Sequence, residues 1–322
     1  MSTAPLRLGT RRSPMALVQA GHVARLITER TGRAVELVRV TTFGDVSRAQ
    51  LAQIGGTGVF VSGLRERLLA GEIDVAVHSL KDLPTADPGG IVLAAVPARD
   101  DPRDALVTAD GAKLADLPAG ARIGTGSPRR AAQLRLLRPD VVPVPVRGNA
   151  GTRLSKLGSG QLAAVVLGYA GLARIGRLGA VAEIFEPDEM LPAPGQGALA
   201  VECAAGPDGL AALLAAADDP PSRATVTAER SLLAALQGGC SAPVGAYATV
   251  APQAQGPATG TVQLRAGVFG RGGAGAVRAA GRGAAGNARA LGRRVATELL
   301  RRGAGDYISV LAARPSDGGD PQ

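Results

Sequence analysis

Hydrophobic positions along the chain change repeatedly between strand-like and helix-like spacing. Leu6 and Leu8 alternate with neighbours as on a short strand, and Leu17, Val18, Val23, Leu26 and Ile27 then gather on one face of a helix running to Gly32. Ser13 stands where a cap accepts an orphaned backbone N–H, and Pro14 where a first helical residue needs none. Residues 35–40 read as a strand, so the chain opens strand–helix–strand. Residues 43–58 break both patterns: they are polar, carry Gly44, Gly55, Gly56 and Gly58, and have the length and irregularity of a lid. A helix is expected over 60–70, and the apolar run 73–77 as a buried strand ending at His78-Ser79-Leu80-Lys81-Asp82-Leu83-Pro84. Ligands of open α/β sheets gather at such strand ends.

After a strand at 92–96, the charged, proline-bearing stretch 98–104 reads as a crossing into a second α/β unit. That unit has strands near 122–123, 141–146 and 164–167, with helices starting at Ser127, Asn149 and Tyr169. Residues 191–197 make a second crossing, which returns the strand 198–203 to a sheet. Two crossings imply a pair of lobes with a cleft that can hinge. Helices near 209–217 and 221–236, strands near 244–250, 261–269 and 276–281, and a helix over 288–302 form a third, α+β unit. The expected boundaries are 1–98 with 198–217 for the first lobe, 103–191 for the second, 220–313 for the third unit and 314–322 for a disordered tail.

Composition narrows the chemistry. The chain has 322 residues, 46% of them hydrophobic but only 2% aromatic, so its cores must be built from Ala, Val and Leu. Two cysteines, Cys203 and Cys240, exclude a disulfide framework. The start shows no signal peptide and no apolar run reaches transmembrane length, so a soluble cytoplasmic protein is expected, with no membrane partner. The net charge is +9, and all but Lys81, Lys113 and Lys156 of the 36 basic residues are arginine. Arg271, Arg278 and Arg282 fit a bias in genomic base composition, which the Ala, Gly and Pro richness of the chain also reflects. Elsewhere the guanidinium fork suits carboxylates and phosphates. Aromatics to stack bases are nearly absent and no dense basic tail is present, so a small polyanion is expected rather than nucleic acid.

Three strand-to-helix turns carry arginines: Gly9-Thr10-Arg11-Arg12-Ser13-Pro14, Gly124-Thr125-Gly126-Ser127-Pro128-Arg129-Arg130, and Val146-Arg147-Gly148-Asn149-Ala150-Gly151-Thr152-Arg153. Free N–H groups at such helix starts favour anions. Asp82 is the one carboxylate of its turn, with Lys81 beside it to favour the ionised form. Cys240 follows Gly238-Gly239, which can leave the helix at positive φ, and precedes Ser241-Ala242-Pro243. A packed thiol and an accessible nucleophile are both open from this loop alone. His22 and His78 are the only histidines and lack ligand spacing, so no metal is expected.

In this order and spacing these motifs, with Val77-His78-Ser79-Leu80-Lys81-Asp82-Leu83-Pro84, Pro194-Gly195-Gln196-Gly197-Ala198 and Gly238-Gly239-Cys240, resemble the porphobilinogen deaminase (hydroxymethylbilane synthase) family of tetrapyrrole and heme biosynthesis, end to end. The resemblance implies an α/β fold of two periplasmic-binding-protein-like lobes connected by two crossings, plus a C-terminal α+β domain. It implies a dipyrromethane cofactor joined to Cys240 by a thioether, onto which four porphobilinogen molecules add head to tail, each losing ammonia, before hydrolysis releases hydroxymethylbilane. By the same resemblance Asp82 is catalytic, stabilising the cationic pyrrole left as ammonia departs. Lys81, Arg129, Arg130 and Arg153 match cofactor-binding positions, supported by Thr125 and Ser127, while Arg11, Ser13, Gln19, Arg147, Arg174 and the lid residue Phe60 match substrate-binding ones. Gln53 and Thr57 stand where many members carry lid lysines, Phe43 where arginine is common, and Ser62-Gly63 where a Lys-Glu pair is. Cys203 reads as buried packing, and a monomer is expected. The competing reading is a non-catalytic, two-lobed binder of small polyanions, which would have no use for Asp82, Cys240 and the third unit together.

Overall fold

The computed structural model describes residues 4–40, 58–86, 88–207, 209–238, 242–251 and 260–309. Its first sheet grows from β1 (Leu6–Arg11), flanked in parallel by β2 (Val35–Val40) and β3 (Val75–Ser79). α1 (Pro14–Thr31) joins β1 to β2; Ser13 Oγ accepts from Ala16 N at 3.3 Å at its start. α2 (Gly58–Leu69) precedes β3, and β4 (Ile91–Ala95) lies at the far edge. Between β3 and β4 sits β10 (Leu199–Ala204), antiparallel to both and returning from more than a hundred residues downstream. Leu8, Ile27, Val75, Val201 and Cys203 share this core, and Cys203 is fully buried packing, as expected.

The second sheet repeats the plan. β6 (Arg122–Gly124) is flanked in parallel by β7 (Val142–Val144) and β8 (Ala164–Gly168); β5 (Asp104–Thr108) is antiparallel to β8, and β9 (Val181–Phe185) to β5. The two orders, β2-β1-β3-β10-β4 and β7-β6-β8-β5-β9, correspond strand for strand. The repeated Gly-Thr…Ser-Pro turn is therefore a topological equivalence: it follows the central parallel strand of each sheet. α3 (Pro128–Leu137), α4 (Ala150–Gly158) and α5 (Tyr169–Arg174) connect these strands. β5 and β9 are absent from the hydrophobic pattern read above. β5 opens on a charged residue straight out of the charged crossing, and β9 is a half-buried edge strand without clean alternation.

Each crossing thus runs directly into the antiparallel strand of the sheet it enters: the first into β5, the second into β10. The crossings also touch. A Cβ on Gly197 would lie 2.4 Å from the Asp100 carbonyl oxygen, and the residue has φ +87°, so only glycine fits there.

α6 (Leu210–Leu214) leads to α7 (Pro220–Ala235), whose Asp219 cap accepts from Ser222 N at 2.9 Å. The antiparallel sheet β11 (Val244–Ala251), β12 (Thr261–Phe269) and β13 (Ala276–Ala284) packs with α7 and α8 (Ala288–Arg301) around Leu232, Val262, Leu264, Leu291 and Val295; α9 (Gly305–Ser309) follows. The two long helices cross at Gly292, where a Cβ would sit 2.3 Å from the Ala228 carbonyl oxygen. The whole is α/β with two mixed sheets plus a three-stranded α+β unit, as expected. Among the described residues no helix is long and apolar enough to cross a membrane.

Candidate active site

β3 is buried until Ser79, where it becomes a single 3-10 turn, Leu80–Asp82, closed by Leu83 N donating to the Leu80 carbonyl at 3.1 Å. Leu80 and Leu83 are pinned in the core, which leaves Lys81 and Asp82 to project half-exposed from the turn. Gln19, buried in α1, donates to Ser79 Oγ at 2.8 Å just before it. Part of the Lys81 side chain reaches solvent, but its ammonium lies deep. Desolvation first, and the nearby Arg130 second, lower its pKa to about 8. Lys81 Nζ donates to Gln196 Oε1 at 3.3 Å.

In the second sheet the turn after β6, Thr125–Ser127, is held by Ser127 N donating to Thr125 Oγ1 at 3.2 Å and by Ser127 Oγ accepting from Arg130 N at 3.4 Å. Arg129 and Arg130 follow on α3, and both are buried. They converge on Asp104, the fully buried first residue of β5: Arg129 Nη2 lies 2.8 Å from Oδ2, and Arg130 donates to Oδ1 from Nε at 3.0 Å and Nη2 at 2.7 Å. Burial would raise the Asp104 pKa, but the two guanidiniums outweigh it and hold the carboxyl well below the usual range. Gln196, from the second crossing, donates from Nε2 to Asp104 Oδ1 at 2.7 Å while its Oε1 accepts from Arg130 Nη2 and Lys81. One amide therefore bridges the catalytic-turn candidate of one lobe to the arginine pair of the other.

Arg153, one turn into α4, donates to the Gly148 carbonyl at 2.9 Å. Its pKa is lowered by burial and by repulsion from Arg130, partly offset by attraction to Asp82. Lys81, Asp82, Arg129, Arg130 and Arg153 thus form one electrostatic cluster, with Thr125 and Ser127 in the adjoining turn.

The other candidates lie around it. Arg11 is half-buried at the end of β1, Ser13 is spent on its cap, and Arg147 is exposed. Arg174 is drawn to the crossings instead, donating from Nε to Asp100 Oδ2 at 2.9 Å and from Nη2 to the Gly197 carbonyl at 2.7 Å. The lobes approach beside it: a Cβ on Gly171 of α5 would lie 3.5 Å from Met15 Cε of α1. Phe60 is in the first turn of α2, its side chain outside the description.

Cys240 lies outside the described residues, as do Phe43, Gln53 and Thr57. Both stems of the cysteine loop are fixed: Gly238 N donates to the Leu233 carbonyl at 3.1 Å, and the Pro243 carbonyl accepts from Phe269 N at 2.9 Å. The exit from α7 differs from expectation. Gln237, not Gly238, takes the left-handed conformation, with φ +52°. Gly238 is needed for space, since a Cβ there would lie 2.9 Å from Leu233 Cδ1.

Sequence reasoning passed over several polar residues. Asp104 looked like part of a charged linker, and Gln196 was a motif letter without a role. Glu229 is fully buried on an α7 face shared with Val226 and Leu232, a carboxylate on an apolar stripe that was the signal to follow. Arg65, Glu202 and His78 make a further buried group inside the first lobe: Arg65 donates to both Glu202 oxygens at 3.0 and 2.7 Å, and His78 Nε2 lies 3.3 Å from Oε2.

Residues 6–212 match the family model described as porphobilinogen deaminase, dipyromethane cofactor binding domain, and residues 223–301 that described as porphobilinogen deaminase, C-terminal domain. The porphobilinogen deaminase of Thermobifida fusca is 61% identical over 280 residues, covering 87% of this chain and 86% of that protein. That of Acidothermus cellulolyticus is 51% identical over 321 residues, covering 98% and 93%. Solved structures match more loosely. A domain of Bordetella pertussis BvgS has a TM-score of 0.41 at 19% identity, over 66% of this chain and 85% of that one. Immunogenic lipoprotein A from Vibrio vulnificus has 0.41 at 16% identity, over 66% and 94%.

Proposed function

The chain belongs to the porphobilinogen deaminase family, and from that premise we propose how its own side chains divide the work. It is a transferase that polymerises porphobilinogen on a dipyrromethane cofactor to hydroxymethylbilane, so a purely binding role falls away.

The residues present suit such a cofactor. Lys81, Arg129, Arg130 and Arg153 supply four cations against the carboxylates of Asp82 and Asp104, and the lowered pKa values of Lys81 and Arg153 record that surplus together with their desolvation. When bound, the dipyrromethane brings the carboxylates that such a surplus would hold and the pyrrole to which new units add. Lys81 and Arg153, on opposite lobes and not consumed by Asp104, are the principal holders in this reading. Arg129 and Arg130, half-committed to Asp104, add field and shape. Thr125 and Ser127 accept within their turn and keep their O–H groups for donation outward.

Asp82 is the catalytic group. Its carboxylate accepts hydrogen bonds from pyrrole N–H groups and stabilises the positive charge that develops as ammonia leaves. An ionised carboxylate does this at every addition, with no proton to restore between rounds. Cys240 would hold the cofactor, through a thioether from its Sγ. Arg11, Ser13, Gln19, Phe60, Arg147 and Arg174 attend the incoming porphobilinogen. For Arg174, whose side chain is 12% exposed, this means leaving both Asp100 and the Gly197 carbonyl.

The observation that carries this reading is the surplus of cations around the Lys81–Asp82 turn. Intact mass tests it: the isolated protein should weigh two pyrrole units more than its chain, and the Cys240→Ser variant should lack them. An unmodified mass in active protein would overturn the tether. The same reading has three domains, at the boundaries expected above, in a cytoplasmic monomer. Sedimentation at the 32.3 kDa of one chain supports the monomer, and a larger species overturns it.

A further inference from the structure

The turn that carries Lys81 and Asp82 is held from outside its own lobe. Arg230, on α7, donates from Nη1 to the Leu83 carbonyl at 2.9 Å and from Nη2 to the Pro84 carbonyl at 2.7 Å, with the Leu80 carbonyl 3.4 Å from Nη1. One turn earlier on the same helix, Val226 packs into the cluster that contains Leu80 and Leu83. α7 thus presents an apolar contact and a cation fork, four residues apart on one face, to a single 3-10 turn. Between them stands Glu229, whose carboxylate accepts from Gly195 N at 2.7 Å; a Cβ on Gly195 would touch Lys81 N at 3.4 Å. The turn therefore rests on the helix directly and on the second crossing that the helix holds.

α7 has a second end. Five residues past Arg230 it stops at Ala235 and delivers the chain to the Gly238 stem of the Cys240 loop. Those five residues advance about 7.5 Å along the axis of a rigid rod. The helix that leads into the Gly238 stem thereby also grips the backbone of the Asp82 turn.

We propose that Arg230 is a positioning residue for the reaction: by clamping the Leu83 and Pro84 carbonyls it fixes the Asp82 turn relative to α7, the helix that ends at the Gly238 stem. This rests on Asp82 being the charge-stabilising group and Cys240 the tether. The guanidinium never touches substrate; it acts through the turn. A planar fork is required because two carbonyls are bridged at once, which a lysine ammonium on its flexible stem does less well. Freed at its C-terminal side, the turn would let the Asp82 carboxylate drift by a fraction of an ångström to an ångström, and misplacement on that scale costs turnover rather than affinity.

The experiment compares Arg230→Met and Arg230→Lys with the parent, alone and in an Asp82→Asn background. Intact mass should show the two-pyrrole adduct in all of them. In Arg230→Met, kcat should fall about 10- to 100-fold with KM within about threefold, and Arg230→Lys should recover part of the loss. In the Asp82→Asn background the same substitution should cost less than about threefold, because the group it positions is gone. Independently of activity, hydrogen exchange at the Leu83 amide should speed up in Arg230→Met while the strands of the first sheet keep their protection. Unchanged exchange at Leu83, unchanged kcat, or a full-sized loss in the Asp82→Asn background would each overturn the proposal. If Arg230→Met does not fold, Arg230→Lys and the exchange measurement decide alone. Failure of the Asp82 assignment shows separately, as near-parent turnover in Asp82→Asn itself.

Discussion

Glu229 takes both terminal nitrogens of Arg99 into one fully buried carboxylate, at 2.8 and 3.0 Å, so that α7 is locked to the first crossing. The same carboxylate accepts from Gly195 N of the second crossing at 2.7 Å and from Ala248 N of β11 at 2.8 Å. Arg99 in turn donates to the Gln196 carbonyl at 2.9 Å. Four hydrogen bonds reach Glu229 from three parts of the chain, two from Arg99 and one each from Gly195 and Ala248. Both crossings and the third unit meet at one charge.

Removing that charge should be costly. Glu229→Ala leaves the Arg99 guanidinium buried without its partner and orphans two backbone N–H groups, so unfolding free energy should drop by about 3–5 kcal/mol. Denaturant titration checks this. A loss below about 1 kcal/mol would mean that water or another acceptor replaces the carboxylate. Glu229→Gln should lie between, because the amide keeps one acceptor.

Asp82→Asn should keep the fold and the adduct but lose about 10²- to 10³-fold in kcat, the range seen when one preorganised electrostatic partner of a transition state is removed. The side chain is half-exposed at the tip of its turn, so folding tolerates the amide. Single-turnover rates with porphobilinogen would show the loss in the addition step. Parent-like rates would return the charge-stabilising role to another group.

The first lobe offers an acid-stability test. Burial would raise the Glu202 pKa, but hydrogen bonds from His78 and Arg65 prevail and lower it to about 2 from an ordinary 4.5. A depressed carboxyl contributes stability above its unfolded value and loses it as pH falls through the folded one. The parent should therefore lose stability between about pH 4.5 and 2, beyond what the Glu202→Gln variant loses over the same interval. Melting curves across that range, in both proteins, give the difference directly.

How much of this was written in the local pattern follows from sequence distance. The Ser13 and Ser127 caps, the arginines behind them and the Asp82 turn are short-range features, where a cap, a proline and a strand end lie within a few residues. They were legible because local backbone chemistry dictates them. Asp104 was not, because its meaning comes from Arg129 and Arg130, some 25 residues on, and from the antiparallel insertion of β5 beside β8. Gln196 and Arg230 were missed for the same reason: their partners lie 66 to 150 residues away in sequence. Arg174 came only from the family resemblance, and nothing local ties α5 to Asp100.

Lys81 supplies the sharpest test of the cationic cradle, because the sign of its effect should change when the cofactor is present. With its pKa lowered to about 8 from 10.5, the folded chain binds this proton less readily than the unfolded one. Stability from this group therefore rises as pH climbs from about 8 to 10.5, and below 8 the protein bears the full cost of a desolvated cation. In a Cys240→Ser background, expected to hold no tethered cofactor, adding Lys81→Met should raise the melting temperature at pH 7. That gain should fade as pH rises past 10.5, above which the lysine is mostly neutral in both states. In the cofactor-loaded protein Lys81→Met should lower the melting temperature at pH 7 if, as proposed, the cofactor's carboxylates offset the desolvation and the arginines that now depress the Lys81 pKa. A gain of equal size in both backgrounds would mean that Lys81 does not meet the cofactor's charges at all.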